Sequence, residues 1–278
     1  MFTPPAAGDY LVRVRNRSEA AGPRAIYRLH AEPLRPDFTL YQWPDAVPVW
    51  GAGTSAAFVV EVLKWGPLDA DIDVAVEGLP SGWQGSVARW PRAWYSYVNG
   101  SMANKLLVTI TAPADAALGT LAPLRVVGRA KMGDRSIEHE ARYMTLYGSS
   151  HNDRMHVRGS PVARAVVCKA LDSSVSTTVK ELTVEAGQSA QLPVSVKRTG
   201  GNAPLGLVVN GPTPSAGCNW GPPLNLRPDQ TEATLEIPTR ELPPGTYAIT
   251  AARSWASDLR AGRPGPCTPL VLLHIKAK

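Results

Sequence analysis

The chain has 278 residues, a formal net charge of +6, 44% hydrophobic residues, 26 prolines and 24 glycines. That is enough for about two domains of ~100–200 residues each, and the density of proline excludes long helices and favours short strands joined by turns. The basic residues are scattered and form no Lys/Arg block or nucleic-acid motif, no run of ~18 apolar residues is present to span a membrane, and no C-x-x-C pair suits a structural zinc.

The first ten residues, MFTPPAAGDY, have neither the basic start nor the apolar core of a signal peptide. Next, GDYLVRVRNRSEAAGPRAIYRLHAEP reads as a strand, a Gly-Pro turn and a strand. Arg13, Arg15 and Arg17 lie on the wet face of its first strand, with Val12 and Val14 opposite. A lone hairpin is marginally stable. Residues 1–34 are therefore expected to pack on another domain or to close a β-domain that lies upstream.

The stretch VWGAGTSAAFVVEVLKWG, Val49 to Gly66, carries Gly51-x-Gly53-x-x-Ala56, with Asp71 further on. This is the glycine spacing of a dinucleotide-binding loop. An internal repeat argues against that reading. AGTSAAFVVEVLKW in the first half returns as AGQSAQLPVSVKRT in the second. There Pro193 interrupts any helix, and Leu192, Val194 and Val196 alternate with Pro193, Ser195 and Lys197 as in a strand. The matching Phe58, Val60 and Val62 are then one face of a strand, and no helix N-terminus follows Gly53 to receive a pyrophosphate. Both copies continue into a second run (DIDVAVEGLPSGW and LGLVVNGPTPSAG) and end on a Gly-Thr turn feeding a strand, at Gly119-Thr120 and Gly245-Thr246. Each copy is expected to be an antiparallel sandwich of seven or so strands. The expected layout is a hairpin at 1–34, a first sandwich at 35–148, a linker at 149–160 and a second sandwich at 161–278.

Candidate chemistry is sparse. Asp69, Asp71 and Asp73 open with the spacing of a calcium loop, but Val74 and Pro80 stand where its glycine and glutamate belong. Asp71 and Asp73 read instead as outward residues of a strand. His151, Asp153 and His156 crowd the linker and read as solvated polar residues rather than a metal site. No Gly-x-Ser-x-Gly elbow is present, and Glu138 and Glu140 share an ordinary strand face. Of the three cysteines, Cys168, Cys218 and Cys267, the last two lie in the same half. Two readings stand for them, a disulfide or two buried free thiols; a disulfide would favour an exported protein.

The most informative local feature is GWQGSVARWPRAWYSYVNGSMANK, which carries Trp83, Trp90, Trp94, Tyr95 and Tyr97. The first copy is longer here than the second, and the added length is aromatic. Exposed, these rings would form a surface for sugar rings or for a protein. Folded back, they would replace the scarce phenylalanine of the core.

GDYLVRVR followed by GPRAIYRL resembles the closing hairpin of the bacterial pre-peptidase C-terminal domain. LTVEAGQSAQLPVSVKR, LRPDQTEATLEIP and LPPGTYAITAARS are similar to the immunoglobulin-like repeats that follow such domains in secreted proteins. The resemblance implies an all-β chain of two tandem immunoglobulin-like sandwiches preceded by a hairpin remnant. It also implies an extracellular or cell-surface location, with the signal peptide on a longer parent. The function expected is a non-catalytic structural, adhesion or interaction module that needs no cofactor and no metal. Its expected partner is a protein or polysaccharide surface or a neighbouring domain. The alternative is a polysaccharide-binding accessory domain of an extracellular enzyme.

Overall fold

The computed structural model describes residues 5–13, 35–92, 105–147, 156–200, 203–211, 220–240, 242–254 and 265–278. The chain divides into two compact units, Met1–Leu34 and Arg35–Lys278. The described residues of the first unit, 5–13, contain bends and no strand, so the expected hairpin strand is not formed as far as Arg13. The rest of that hairpin, Arg15 and Arg17 included, lies outside the described residues.

The described part of Arg35–Lys278 is built of β-strands, with no helix. The first half contributes β1 (Asp37–Trp43), β2 (Ala46–Trp50), β3 (Ser55–Trp65), β4 (Ile72–Glu77), β5 (Gln84–Gly85), β6 (Val87–Trp90), β7 (Lys105–Thr111), β8 (Leu121–Pro123), β9 (Arg125–Met132) and β10 (Arg135–Glu140). It continues through β11 (Arg142–Tyr147), β12 (His156–Ser160) and β13 (Arg164–Cys168). One face of the first sandwich runs β12-β11-β1-β3-β7-β5. The other is made of β10-β9-β4-β6 and β2-β13-β8. Phe38, Leu40, Phe58, Val60, Ile72, Val74, Val108 and Val126 meet in the core between them. Gly128 is required there. A Cβ on it would lie 2.5 Å from Leu40 Cδ1 and 2.9 Å from Phe38 Cε2.

The second half contributes β14 (Ser173–Ser176), β15 (Glu181–Glu185), β16 (Ser189–Arg198), β17 (Leu205–Asn210), β18 (Leu224–Leu226) and β19 (Glu232–Pro238). It ends in β20 (Gly245–Arg253), β21 (Pro266–Cys267) and β22 (Val271–Lys276). One sheet is β14-β16-β19. The other runs β15-β22-β20-β17-β18, with β15 parallel to β22. In both halves the first strand is split: its opening part pairs with the second strand of one sheet (β1 with β3, β14 with β16), and its continuation crosses over to pair in parallel in the other sheet (β2 with β13, β15 with β22). This split strand, with the antiparallel ladders around it, is immunoglobulin-like sandwich topology.

The repeat therefore holds at the level of strand pairing. Gly53 (φ 69°) and Gly187 (φ 89°) turn the chain into β3 and β16 at matching places, in the left-handed region that favours glycine. The dinucleotide-like spacing from Gly51 to Ala56 is the turn between β2 and β3. In β16, Ala190, Leu192, Val194 and Val196 point inward in strict alternation. In β3, Ala56 through Val60 are buried on both faces, which explains why that run lacks a clean alternation.

The second sandwich closes with Tyr247, fully buried at the start of β20. Its hydroxyl donates to the Pro243 carbonyl at 2.6 Å, and its ring meets Trp220 edge-on at 5.9 Å. This is the tyrosine corner of immunoglobulin-like folds. The first copy has Leu121 at the matching position. Tyr247→Phe, which removes only the hydroxyl, is expected to lower stability by about 1–2 kcal/mol in urea denaturation.

The expected linker is where sequence and structure part. Ala141 N–H donates to the Val126 carbonyl as β10 leaves β9, and Leu124 N–H donates to the Ala163 carbonyl as β13 takes up the same edge. Between these points the chain makes an excursion. β11 runs parallel to β1, and β12 returns antiparallel to β11. Residues 156–160 of the expected linker are thus strand β12. Residues 164–168, expected in the second sandwich, are β13, whose Ala165 and Val167 lie in the first core. Residues 149–155, with His151 and Asp153, lie outside the described residues. The short connection between the two cores is Lys169–Asp172, where Ala170 packs so close to Gly51 that a Cβ there would lie 3.1 Å from it.

Candidate interaction surfaces

Of the five aromatic candidates, the described ones are core residues. Trp90, on β6 opposite Ile72, is fully buried, and Trp83 is buried in the same first core. Neither offers a face to a sugar. Alternation on β6 dictates this for Trp90, since Ala88 and Trp90 point inward while Val87 and Arg89 point out. Trp94, Tyr95 and Tyr97 lie outside the described residues. The segment that holds them starts after Arg92, whose N–H donates to Asp71 Oδ1 at 2.7 Å and whose carbonyl accepts from Lys64 Nζ at 2.7 Å. Burial pushes the Lys64 ammonium below its ordinary pKa, against the opposing pull of Asp69 and Asp71.

The outer face of β10-β9-β4-β6 is a ladder of alternating charge. Arg89 grips Asp73 with two hydrogen bonds, at 2.6 and 3.0 Å. Arg125 reaches Glu77 at 2.9 Å and Glu140 at 3.1 Å. Arg129 bonds Glu77, and Glu138 at 2.8 Å. The hydrogen bond from Arg129 holds the Glu77 carboxyl below its ordinary range. Asp73 is thus an outward residue of β4 gripped by Arg89, whereas Asp71 stands just before β4 and accepts from the Arg92 N–H; Glu138 and Glu140 are rungs of the same ladder. Among the described residues no group of three or more His, Cys, Asp or Glu is placed to hold a metal ion.

The sequence reading missed the join between the sandwiches. β1 pairs with β3 only as far as Trp43 opposite Val59, then crosses to the other sheet. The edge of β3 from Ser55 to Phe58 is left without β1. β21 fills it, with Pro266 opposite Ala56 and Cys267 opposite Ser55, while Cys267 also pairs with Ala252 on β20. One hydrogen-bonded sheet of twelve strands thereby runs through both sandwiches. Beside this bridge Ala57, Val59 and Leu107 on the first sandwich pack against Ala252 and Cys267, with Val208 alongside. Ala248 reaches into the first core. The small side chains of β20 permit this close approach. At the same join the guanidinium of Arg253, 2% exposed, donates to Asp172 Oδ1 at 2.6 Å.

Cys267 is a free, buried thiol in the structure; Cys218, its candidate disulfide partner, lies outside the described residues. Burial pushes the Cys267 thiol up to about 12, although the Ala57 N–H pulls the other way. A raised folded value makes its contribution to stability complete below the unfolded thiol pKa and lost as pH rises towards about 12. At pH 8 in native buffer iodoacetamide is expected to modify Cys168, which is half-buried, well before Cys267. Peptide mass spectrometry reads both sites, and denaturant should make the two rates equal.

The strand pairing defines a tandem immunoglobulin-like all-β protein. No family model matches the chain, and no curated protein does; the pre-peptidase resemblance is therefore without support from a family model. Solved structures that align include a protein of unknown function from Porphyromonas gingivalis W83 (13% identity, TM-score 0.24, covering 86% of this chain and 99% of that one). The fibronectin(III)-like modules of Clostridium thermocellum CbhA also align (12%, 0.23, 86% and 95%), as does the sialic acid binding region of a Streptococcus sanguinis SK1 adhesin (12%, 0.25, 87% and 78%). At these scores the alignments carry no argument, and the fold rests on the strand pairing. Among the described residues no helix is long and apolar enough to cross a membrane.

Proposed function

We propose that residues 35–278 form a non-catalytic structural and interaction module of an exported protein, a stiff two-sandwich spacer that presents protein-binding surfaces. The observation that supports it is the β21 bridge. A chain that needed only to connect two domains would do so through a flexible linker. Here a strand of one sandwich completes a sheet edge of the other, and apolar side chains are buried beside it. That arrangement suits a module that holds its neighbours at a fixed spacing. Export is supported by the resemblance of its repeats to those of secreted proteins. The polysaccharide reading loses Trp83 and Trp90, which are core residues.

The test is a glycan array with the full chain, followed by titration of any hit against tryptophan fluorescence. No saturable glycan binding is expected. A polysaccharide that binds and is lost on Trp94→Ala would contradict the spacer reading and make the chain a carbohydrate-binding module.

A further inference from the structure

We propose that the outer face of the β2-β13-β8 sheet binds a protein partner whose surface is apolar and carries a carboxylate. This rests on the interaction-module reading and names the partner's chemistry. A sheet on the surface of a sandwich is normally apolar inside and polar outside. Here the inward Val47, Val49, Ala122, Ala165 and Val167 are buried as expected. The outward positions are apolar as well: Pro48 and Trp50 on β2, Val166 and Cys168 on β13, Leu121 and Pro123 on β8. Leu121 is 56% exposed. At the ends of the sheet stand Leu118 at 73% and Val162 at 49%. Gly119 N–H donates to the Val167 carbonyl and Leu124 N–H to the Ala163 carbonyl; these bonds hold the two flanks against β13.

The second sandwich supplies an internal control. Its corresponding sheet, β15-β22-β20, turns Glu181, Thr183, Glu185, Thr246, His274 and Lys276 to its outer side, with Leu272 and Ala248 as the apolar exceptions. Thr246 Oγ1 and His274 Nδ1 are hydrogen-bonded at 2.9 Å. The same place in the same fold is thus mostly polar in one copy and mostly apolar in the other. The fold does not demand the apolar version, and a contiguous apolar face at the surface of a sandwich, half-buried at Pro48, Trp50, Val166 and Cys168 and exposed at Leu121 and Pro123, marks an interaction site.

One charge sits on this face. Arg164 is exposed on β13, the central strand, and has no acidic partner among the described residues. A second copy of this face would bring no carboxylate to Arg164, because Arg164 is the only charged residue among the outward positions of β2, β13 and β8. An apolar partner with a carboxylate meets both features of the face, its greasy surface and its lone cation.

The experiment uses two fluorescein-labelled peptides of alternating Val and Thr, identical except for a central Asp or Lys. Anisotropy on the full chain should show the Asp peptide binding about fivefold more tightly, the worth of one partly exposed ion pair. Arg164→Glu should reverse that preference. Leu121→Ser with Val162→Ser, both at exposed positions, should abolish binding of both peptides and leave the melting temperature and circular dichroism unchanged. Equal affinity for the two peptides, binding that survives Leu121→Ser with Val162→Ser, or no binding of either peptide below about 1 mM overturns the proposal. So does a concentration-dependent dimer in sedimentation velocity that the serine pair dissolves, because the second copy is then the occupant. The spacer reading stands through any of these failures, since it is tested by glycan binding and interdomain stiffness.

Discussion

Trp90→Ala is expected to lower the stability of the first sandwich by about 3–5 kcal/mol, the usual range for deleting a fully buried large aromatic. The ring is fully buried between the sheets at the end of β6. Its loss removes transfer free energy and leaves a cavity that the surrounding strands, fixed by their ladders, cannot close. Urea denaturation followed by far-UV circular dichroism measures the change. Trp65→Ala is the control. Trp65 stands 46% exposed at the end of β3, with its indole N–H donating to Thr39 Oγ1 at 2.9 Å, and its removal should cost about 1 kcal/mol or less. A Trp90→Ala protein of undiminished stability would show that the ring belongs to a surface after all.

Cys267→Asp is expected to uncouple the two sandwiches without unfolding either. The thiol lies in a dry contact between Ala57, Val59, Leu107 and Ala252, and an isolated carboxylate there costs several kcal/mol. Each sandwich keeps its own core, the first around Phe58 and Ile72, the second around Leu192 and Tyr247. Parting at the β21 bridge, which hydrates the new charge, is therefore cheaper than unfolding. Small-angle scattering should show a larger radius of gyration, and the single thermal transition of the parent should split in two. Cys267→Ala keeps the contact apolar and should leave both measurements close to the parent. A Cys267→Asp chain that stays compact would show that the bridge does not hold the sandwiches together.

Much of the architecture was legible in the sequence because it depends on local signals. Pro193 and the alternation of Leu192, Val194 and Val196 identify a strand, and the repeat carries that identity back to Phe58, Val60 and Val62. The turn glycines Gly53 and Gly187 and the Gly-Thr entries to the β8 and β20 strands fall at matching places for the same reason. What was not legible depends on pairing between distant segments. Residues 149–160, which include β12, read as a linker because of their polar, turn-rich composition, and the parallel pairing of Tyr41 with Arg142 leaves no local trace. β21 is two residues long, too short for any periodicity. One signal was present and pointed to the join: the run Ala56 to Val60 is apolar without alternation, which marks a strand covered on both faces. The aromatic stretch was ambiguous in the sequence, since ring type does not reveal which side of a strand faces the core. Ala88 and Trp90 on one face of β6 settle it for Trp90.

Backbone 15N relaxation on the full chain tests the central claim most directly, by comparing amides of β3, β4 and β7 with those of β16, β17 and β20. Bridged through β21, the two sandwiches tumble as one body, and both sets of amides should fit a single rotational correlation time with the same diffusion tensor. Separate and shorter correlation times for the two sets would contradict the account, because the sandwiches would then move independently and the chain would not be a stiff spacer.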